Sequence, residues 1–184
     1  MSDLILVDEN DQEIGTQEKI ATHKSGALHR AFSAFVFRKH NNDLQLLLQK
    51  RHINKYHSGG LWTNSCCGHP VVKESIISAG ERRVYEELGI KVELFDFGTF
   101  IYKNKFSNGL IEHELDHVLV GVYQNDVINP NPNEVDDFKW ENIPEFENWL
   151  LKSNNEFTVW LQGAWGIVKK DFGKVRLLFD EKIK

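Results

Sequence analysis

The chain has 184 residues, which is long enough for one domain with a hydrophobic core and too short for two full-sized domains. Its apolar fraction of 41% and charged fraction of 27% are those of an ordinary globular protein, which excludes a disordered or fibrous chain. The formal net charge of −5 argues against a nucleic-acid partner, but it allows an anionic small molecule bound by a local basic patch.

The beginning of the chain predicts neither a signal peptide nor a membrane span. The first ten residues, MSDLILVDEN, contain acidic groups and no basic region followed by a long apolar run. No stretch approaches the ~20 apolar residues that cross a bilayer. The two cysteines, Cys66 and Cys67, are adjacent and cannot close a stabilising loop, and a free pair persists best in a reducing compartment. We therefore expect no membrane insertion and a cytoplasmic location.

The first quarter of the chain predicts three short strands. Residues 4–7, 31–37 and 44–48 are apolar runs with β-branched or aromatic members. The polar sequence HNND at residues 40–43 separates the last two runs and is typical of a turn. We expect these two strands to form a hairpin.

The middle of the chain predicts a helix followed by a second hairpin. Residues 73–88 carry apolar side chains at helical spacing, and Gly89 follows as a stop signal. Residues 92–106 and 110–123 are strand-like, and the sequence SNG at 107–109 joins them.

The last third predicts further helices. The loop NPNPN at residues 129–133 interrupts the chain, and residues 144–151 and 157–169 then have helical patterns with several tryptophans. The chain contains no Gly- or Ser-rich linker and no internal repeat. These elements predict an α+β fold with a mixed sheet sandwiched between helices, in a single domain over residues 1–184.

Residues 61–68, LWTNSCCG, form a loop with unusual chemical content. Asn, Ser and Gly, with Pro70 after them, favour a turn, yet the loop carries two thiols and His69 follows it. Taken alone, Cys66 and Cys67 fit buried small hydrophobes, the usual fate of a free cysteine, better than they fit a reactive site.

Two carboxylates share one face of the strand predicted at 110–123. Side chains two apart in a strand point the same way, so Glu112 and Glu114 project together, whereas His113 and His117 point to the other side. The apolar neighbours indicate a strand that is at least half buried, where unpaired charges are costly. A cation between the carboxylates would remove this cost, and a solvated edge strand is the alternative.

Three histidines could complete such a cation site. His23 and His29 precede the second predicted strand, and His69 follows the cysteine loop. Together with Glu112 and Glu114 they supply five nitrogen and oxygen donors, which exceed the tetrahedral set of zinc and suit manganese or magnesium. No short spacing forces this grouping.

The central helix has acidic and basic residues at a characteristic spacing. Glu74 precedes Arg82 by eight positions, and Glu86 and Glu87 follow shortly after. This spacing resembles the Nudix box, in which helix glutamates hold magnesium against a diphosphate. Arg83 stands where Nudix hydrolases have a glutamate, although an ordinary amphipathic helix with an Arg83–Glu87 pair would also fit this segment.

Together, these motifs resemble the type I isopentenyl-diphosphate isomerases from about residue 17 to beyond Trp160. That family carries a cysteine loop of the form T-N-S/T-x-C-x-H-P and a strand with paired glutamates. The matching residues are Thr63, Asn64, Ser65, Cys67, His69, Pro70, Glu112 and Glu114. The resemblance implies a Nudix-like fold and interconversion of isopentenyl and dimethylallyl diphosphate.

The resemblance also implies a role for each matching residue. Cys67 and Glu114 would be the proton-transfer pair, with the aromatic side chains of Tyr102 and Trp160 in the pocket. The implied ligands of a Mn²⁺, Mg²⁺ or Zn²⁺ ion are His23, His29, His69, Glu112 and Glu114. A second ion, Mg²⁺ bridging to the diphosphate, would use Glu87 and the Cys67 carbonyl. The implied diphosphate-binding cations are Lys19, Arg51, Lys55 and Arg83.

Two other functions remain open from the residues alone. A Nudix pyrophosphohydrolase would release phosphate, and a ligand-sensing module on the same fold would bind a diphosphate without turnover. Cys67 favours the isomerase, since hydrolysis needs no thiol there. The sequence decides neither which of Cys67 and Glu114 is the acid, nor which metal is native, nor whether the protein is a monomer or a homodimer.

Overall fold

The structure, a computed structural model, describes residues 3–181, so residues 1, 2 and 182–184 of the predicted domain lie outside the described part. Within residues 3–181 nine strands form one mixed sheet. The strands are β1 Asp3–Val7, β2 Glu13–Glu18, β3 His29–His40, β4 Asp43–Arg51, β5 Trp62–Thr63, β6 Cys66–Gly68, β7 Leu94–Lys105, β8 Ile111–Val122 and β9 Val135–Asn142. The helices are α1 Lys19–Ser25, α2 Ile76–Leu88, α3 Ile143–Lys152, α4 Leu161–Lys170 and α5 Phe172–Glu181, with a 3-10 turn at Asn154–Glu156.

Strand β3 organises the sheet. It runs parallel to β8, with His29 to Phe37 opposite Glu114 to Val122, and the described pairings of the other strands are antiparallel. Strand β4 pairs with β3 only near the hairpin turn, and β6 pairs with β3 nearer its beginning. The two long strands therefore diverge, and the cysteine strand β6 fills part of the opening between them.

The two faces of β3 carry separate hydrophobic cores. Phe35 and Phe37 pack with Trp165 of α4 on one face, whereas Phe32 and Val36 belong to the cluster of α2 on the other. This division follows from the two-residue period of a strand. The predicted fold class, a mixed sheet between helices, is confirmed.

Helix α2 begins later than the predicted 73–88, and its start at Ile76 corrects that boundary. Residues 71–75 form a turn instead, because Lys73 has a left-handed backbone (φ 71°) and the Ser75 hydroxyl accepts the Ser78 N–H as an N-cap. The helix ends at Gly89 with φ 70°, where a Cβ atom would lie 2.6 Å from the carbonyl oxygen of Asn129.

Most of the other predicted elements are confirmed, and one is wrong in part. Both hairpins and the helix at 144–151 are present, the latter as α3. The helix predicted at 157–169 begins only at Leu161, because Phe157 bridges to Trp62 and the Thr158 N–H donates to the Trp62 carbonyl. Strands β2, β5, β6 and β9 and helices α1 and α5 were not predicted, and β5 and β6 lie within residues 61–68, which were predicted as a loop. No helix within residues 3–181 is long and apolar enough to span a bilayer.

Candidate active site

A cavity of about 300 Å³ opens where β3 and β4 diverge. It brings together most of the residues singled out in the sequence, from six separate parts of the chain. Those lining it are Lys19, Arg51, Lys55, Cys67, His69, Arg83, Glu87, Tyr102, Glu112, Glu114 and Trp160. His23 and His29 are fully buried in the wall next to His69, with ring centroids 6.0 and 5.1 Å from the His69 ring.

Strand register brings the thiol and the carboxylate to one face of the sheet. His29 and Tyr102 each lie directly opposite Glu114, and Ser33 lies opposite Cys67. Because β6 and β8 flank β3 on either side, their backbones are two strand spacings apart, roughly 10 Å. This separation leaves room for a small hydrocarbon between side chains that point the same way.

The Cys67 sulfur lies in a defined hydrogen-bond network. The Trp160 indole N–H donates to Sγ at 3.1 Å, and Sγ donates to Oδ1 of Asn64, also at 3.1 Å. The Asn64 amide nitrogen donates to the carbonyls of Ala34 and Cys66, which fixes Oδ1 as the acceptor. Burial, reinforced by the nearby Asp116 carboxyl, raises the pKa of Cys67 to about 12. The ligand-free protein therefore holds Cys67 as a thiol at neutral pH.

The two glutamates of β8 have opposite pKa shifts. Burial acts to raise the pKa of Glu114, but the neighbouring imidazoles of His29 and His69 outweigh burial and hold this pKa well below its usual range. His69 Nε2 lies 3.0 Å from Glu114 Oε1. Burial and the Glu114 charge raise the pKa of Glu112, and the Tyr102 hydroxyl donates to both carboxylates, at 2.5 Å to Glu114 and 3.1 Å to Glu112. The Tyr102 hydroxyl thus links the carboxylates of Glu112 and Glu114.

Two overlapping sets of donors fit a divalent cation. The ligand atoms of each set lie within 4.8 Å of one another, and both sets include His23; they are His23, His29, His69 and Glu114, and His23, His57 and Glu112. Nε2 of His23 and of His29 is buried without a hydrogen-bond partner among residues 3–181, although His29 Nε2 lies 3.4 Å from Glu114. Unpartnered buried imidazole nitrogens beside carboxylates are what a cation would satisfy.

The protonation states also fit a cation. Burial lowers the pKa of His23 to about 4 and that of His69 to about 3, so both rings are neutral at neutral pH, which is the form in which imidazole binds metal ions. His23 donates Nδ1–H to the Lys19 carbonyl at 2.7 Å, and His29 donates Nδ1–H to the Ala27 carbonyl at 2.9 Å. Such bonds leave Nε2 facing inward. We call the donors His23, His29, His57, His69, Glu112 and Glu114 the donor base.

Four cations and one further carboxylate surround the mouth of the cavity, and we call them the cationic rim: Lys19, Arg51, Lys55, Arg83 and Glu134. Glu134 forms ion pairs with Lys55 and, at 3.5 Å, with Arg83. Burial and the neighbouring cations Lys55 and Arg83 lower the pKa of Lys19. The rim is therefore a concentrated positive site that Glu134 partly neutralises.

Helix α2 presents one of its two adjacent glutamates to the cavity. Glu87 lines it and accepts the Gln49 amide N–H at 2.9 Å, whereas Glu86 is exposed and pairs with Arg82 and Arg83. Arg83 also forms an ion pair with Glu87, so a cation occupies the position at which Nudix hydrolases have a carboxylate. Glu87 is thus the carboxylate that α2 contributes to the cavity.

Sequence reasoning missed three residues of the site. His57 and Glu134 lie in loops with no periodic pattern, and the chemistry of either position is visible only when the chain has folded. Asn64 stands in the cysteine motif, but the motif alone does not show that its amide orients a thiol.

Comparisons with known proteins agree with this geometry. Residues 27–161 match the family model of the NUDIX domain. An isopentenyl-diphosphate delta-isomerase of Pectobacterium atrosepticum is 44% identical, over 88% of this chain and 88% of its own length. A second protein of that name, from Aromatoleum aromaticum, is 46% identical over 86% of this chain and 82% of its own.

Solved structures show the same fold at low identity. DR0079 of Deinococcus radiodurans superposes with a TM-score of 0.64 at 17% identity, over 81% of this chain and 88% of its own. A MutT protein of Methanosarcina mazei gives a TM-score of 0.61 at 16% identity, over 78% of this chain and 94% of its own. The match to the NUDIX domain model identifies the fold, and the relatives of 44% and 46% identity identify the family within it. The chain therefore belongs to the NUDIX domain family and, within it, to the isopentenyl-diphosphate delta-isomerases.

Proposed function

We propose that the chain interconverts isopentenyl and dimethylallyl diphosphate, with Cys67 and Glu114 as its proton-transfer pair. The observation that carries the proposal is that a thiol and a carboxylate from strands on either side of β3 line one cavity whose mouth is cationic. A diphosphate suits the rim, and a short hydrocarbon suits the space between the strands.

The reaction moves a double bond without net gain of atoms. A proton added to the terminal alkene carbon breaks the π bond and leaves a tertiary carbocation or a species close to it. Loss of a proton from the neighbouring methylene then forms the internal double bond. An alkene is a weak base, so the acid has to be held against the carbon and water kept away.

Cys67 and Glu114 would hold one proton between them at neutral pH. Burial keeps that proton on the thiol, while His29 and His69 keep Glu114 ionised. One group can therefore donate while the other accepts, and the reverse reaction exchanges their roles. Trp160, which donates to the Cys67 sulfur, also offers an aromatic face to the cavity.

The aromatic wall supplies only part of the rate enhancement. A desolvated cation–π contact contributes ~2 kcal/mol, whereas enzymes commonly lower barriers by ~8–23 kcal/mol. Positioning has to supply most of the rest. The rim cations Lys19, Arg51, Lys55 and Arg83 would anchor the diphosphate, and this remote binding energy would fix the hydrocarbon against the reacting pair.

Divalent cations complete the proposed site. His23, His29, His69, Glu112 and Glu114 would hold Mn²⁺, Mg²⁺ or Zn²⁺, and Glu87 with the Cys67 carbonyl would hold a Mg²⁺ that would offset the negative charge of the diphosphate. The first ion would supply positive charge that stabilises the carboxylates and makes the neighbouring acid stronger. We further propose a reducing, cytoplasmic location, because both cysteines are free and adjacent.

The test is proton exchange with isopentenyl diphosphate in heavy water, read as deuterium in both isomers. Cys67→Ala should lower turnover by about 10²–10⁴-fold, the usual contribution of a general acid or base. Cys66→Ala is the matched control. The Cys66 side chain is buried in the hydrophobic cluster that includes α2 and does not line the cavity, so turnover should change little. Near-normal exchange in Cys67→Ala would refute the pair. Phosphate release, or diphosphate binding without exchange, would indicate a hydrolase or a sensor instead.

A further inference from the structure

His57 has the same local geometry as the two buried histidines of the predicted metal site. The residue is 6% exposed, and Nε2 is buried without a hydrogen-bond partner among residues 3–181. Nδ1 lies 3.3 Å from the Ser58 hydroxyl, which can accept Nδ1–H as the carbonyls beside His23 and His29 do. In all three rings Nδ1 has a local hydrogen-bond partner, and Nε2 makes no hydrogen bond among residues 3–181.

The ring of His57 is held firmly in this orientation. It stacks on Phe106 with centroids 4.7 Å apart and an interplanar angle of 16°. Tyr56 packs edge-on at 4.3 Å, and Trp160 at 5.9 Å. A rigid ring holds its lone pair in one direction, which is a requirement for a metal ligand and unnecessary for a filler of apolar space.

Nε2 of His57 lies beside the second glutamate of the donor base. It lies 2.8 Å from Glu112 Oε1, and together with His23 Nε2 these atoms all fall within 4.8 Å of one another. Donors on opposite sides of one cation, each about 2.1 Å from it, are about 4.2 Å apart. The ligand atoms of the His57 set therefore lie near the spacing that one ion requires.

His23 connects the two sets and restricts how they can be filled. Its Nδ1 is occupied by the Lys19 carbonyl, so it has a single lone pair for a single cation. If His23 joined the first set, the second would keep only His57 and Glu112, and if it joined the second, the first would keep His29, His69 and Glu114. One cation that draws on both sets would satisfy all the unpartnered imidazole nitrogens together, after a movement that brings the two sets toward each other.

We propose that His57 is a further imidazole ligand of the divalent-cation site, which joins Glu112 to the cage and raises its nitrogen ligands from three to four. The inference rests on the proposed metal site and deepens it. A fourth nitrogen would shift the preference of the site away from Mg²⁺, which favours oxygen, and toward Mn²⁺ and Zn²⁺.

The experiment counts nitrogen ligands on bound Mn²⁺ by pulsed electron paramagnetic resonance of the whole protein, without substrate. Four coordinating imidazoles are expected in the wild type and three in His57→Gln, a variant that keeps a polar side chain of similar size. The dissociation constant for Mn²⁺, measured by equilibrium dialysis, should rise about tenfold or more in His57→Gln and His57→Ala. His52→Ala is the control, because this histidine lies in the same loop and pairs with Asp136 outside the donor base, so both readouts should stay at wild-type values.

Three imidazoles in the wild type would overturn the inference, even if the variants bound Mn²⁺ more weakly, because His57 would then only hold Glu112 in place. The wild-type count needs no variant, so a folding defect in His57→Gln cannot obscure this result. A wild-type protein that binds no Mn²⁺ but still isomerises the substrate would overturn the metal site and this inference with it, while leaving the proposed reaction standing.

Discussion

The cationic rim and the donor base lie in one cavity, but they satisfy their polar groups in opposite ways. In the rim, Lys55, Arg83 and Glu134 are paired with one another, and their side chains are 20–26% exposed. In the base, His29 is fully buried and its Nε2 lacks a hydrogen bond. The rim therefore pairs part of its charge internally, whereas the base keeps buried nitrogens without hydrogen bonds, which a cation would satisfy. The free-energy cost of burying polar groups in this cavity is therefore largest in the donor base.

The substitution with the largest expected effect on the donor base is Glu114→Gln, which keeps the shape of the side chain and removes its charge. We expect turnover to fall by about 10²–10⁴-fold, because an amide can neither accept the proton nor pair with His29 and His69. The measurement is turnover at saturating substrate, with circular dichroism to verify folding. Glu86→Gln is the control, since Glu86 is exposed on α2, and its turnover should match the wild type. Equal losses in both variants would contradict the assigned role.

Removal of divalent cations tests whether the base is incomplete without them. A chelator should inactivate the protein, and Mn²⁺ or Mg²⁺ should restore it. At a hundredfold excess of cation over its dissociation constant, bound cation stabilises the fold by about 2.7 kcal/mol, so the metal-free protein should melt about 5 °C or more below the loaded one. Full activity in a rigorously metal-free sample would contradict the site.

The rim should respond in binding rather than in chemistry. Lys55→Met removes one cation and frees Glu134, so KM for the diphosphate should rise about tenfold while kcat changes little. Lys91→Ala, an exposed cation beside Tyr85, should leave both constants unchanged. A fall in kcat with unchanged KM would mean that Lys55 acts on the reacting carbons, and the distinction between rim and base would fail.

The smallest expected effect is a change in stability at His117, which lies on the opposite face of β8 from the donor base. Unlike the histidines of the donor base, His117 has a carboxylate partner at both ring nitrogens. Nδ1 lies 2.8 Å from Asp96 and Nε2 3.0 Å from Asp11, which ties the turn between β1 and β2 to the sheet. Burial acts to lower the pKa of His117, but the two carboxylates outweigh burial and raise it. Its stabilisation is therefore complete below the unfolded-state pKa near 6.5 and is lost as pH rises through the higher folded-state value.

Accordingly, His117→Gln should lower the free energy of unfolding by about 1 kcal/mol at pH 6 and by less at pH 9, with the partial exposure of both carboxylates taken into account. Urea unfolding at the two pH values measures the difference. His40→Gln, at an exposed position, should be neutral at both. A larger loss at pH 9 than at pH 6 would show that the neutral ring is the stabilising form.

Much of the fold and the site could be predicted because both depend on regular spacing. The two-residue period placed Glu112 and Glu114 together and His117 on the other face, as the structure has them. The resemblance to the isomerase family implied that Cys67 and Glu87 share a site, and both residues line the same cavity. The roles of these residues stay predictions until they are tested.

The elements that escaped prediction lack a strong period. Helix α1 has only seven residues, fewer than helical periodicity needs to emerge, and β9, with the sequence VDDFKWEN, is largely polar. The start of α2 depends on the left-handed backbone of Lys73, a conformation that a lysine seldom adopts and that sequence does not indicate. His57 reaches Glu112 only through tertiary packing, so no local signal identifies it.

The parallel pairing of β3 with β8 has a consequence for how this protein can change over evolution. His29 and Glu114 are direct partners in that pairing, and the residues that follow them build the hydrophobic core. Insertion or deletion of one residue in either strand would exchange inward and outward side chains along its whole length. Such a change would destroy the site and the core in one step. New specificity can therefore arise by substitution at fixed positions or by remodelling of loops, but not by gradual sliding of these strands.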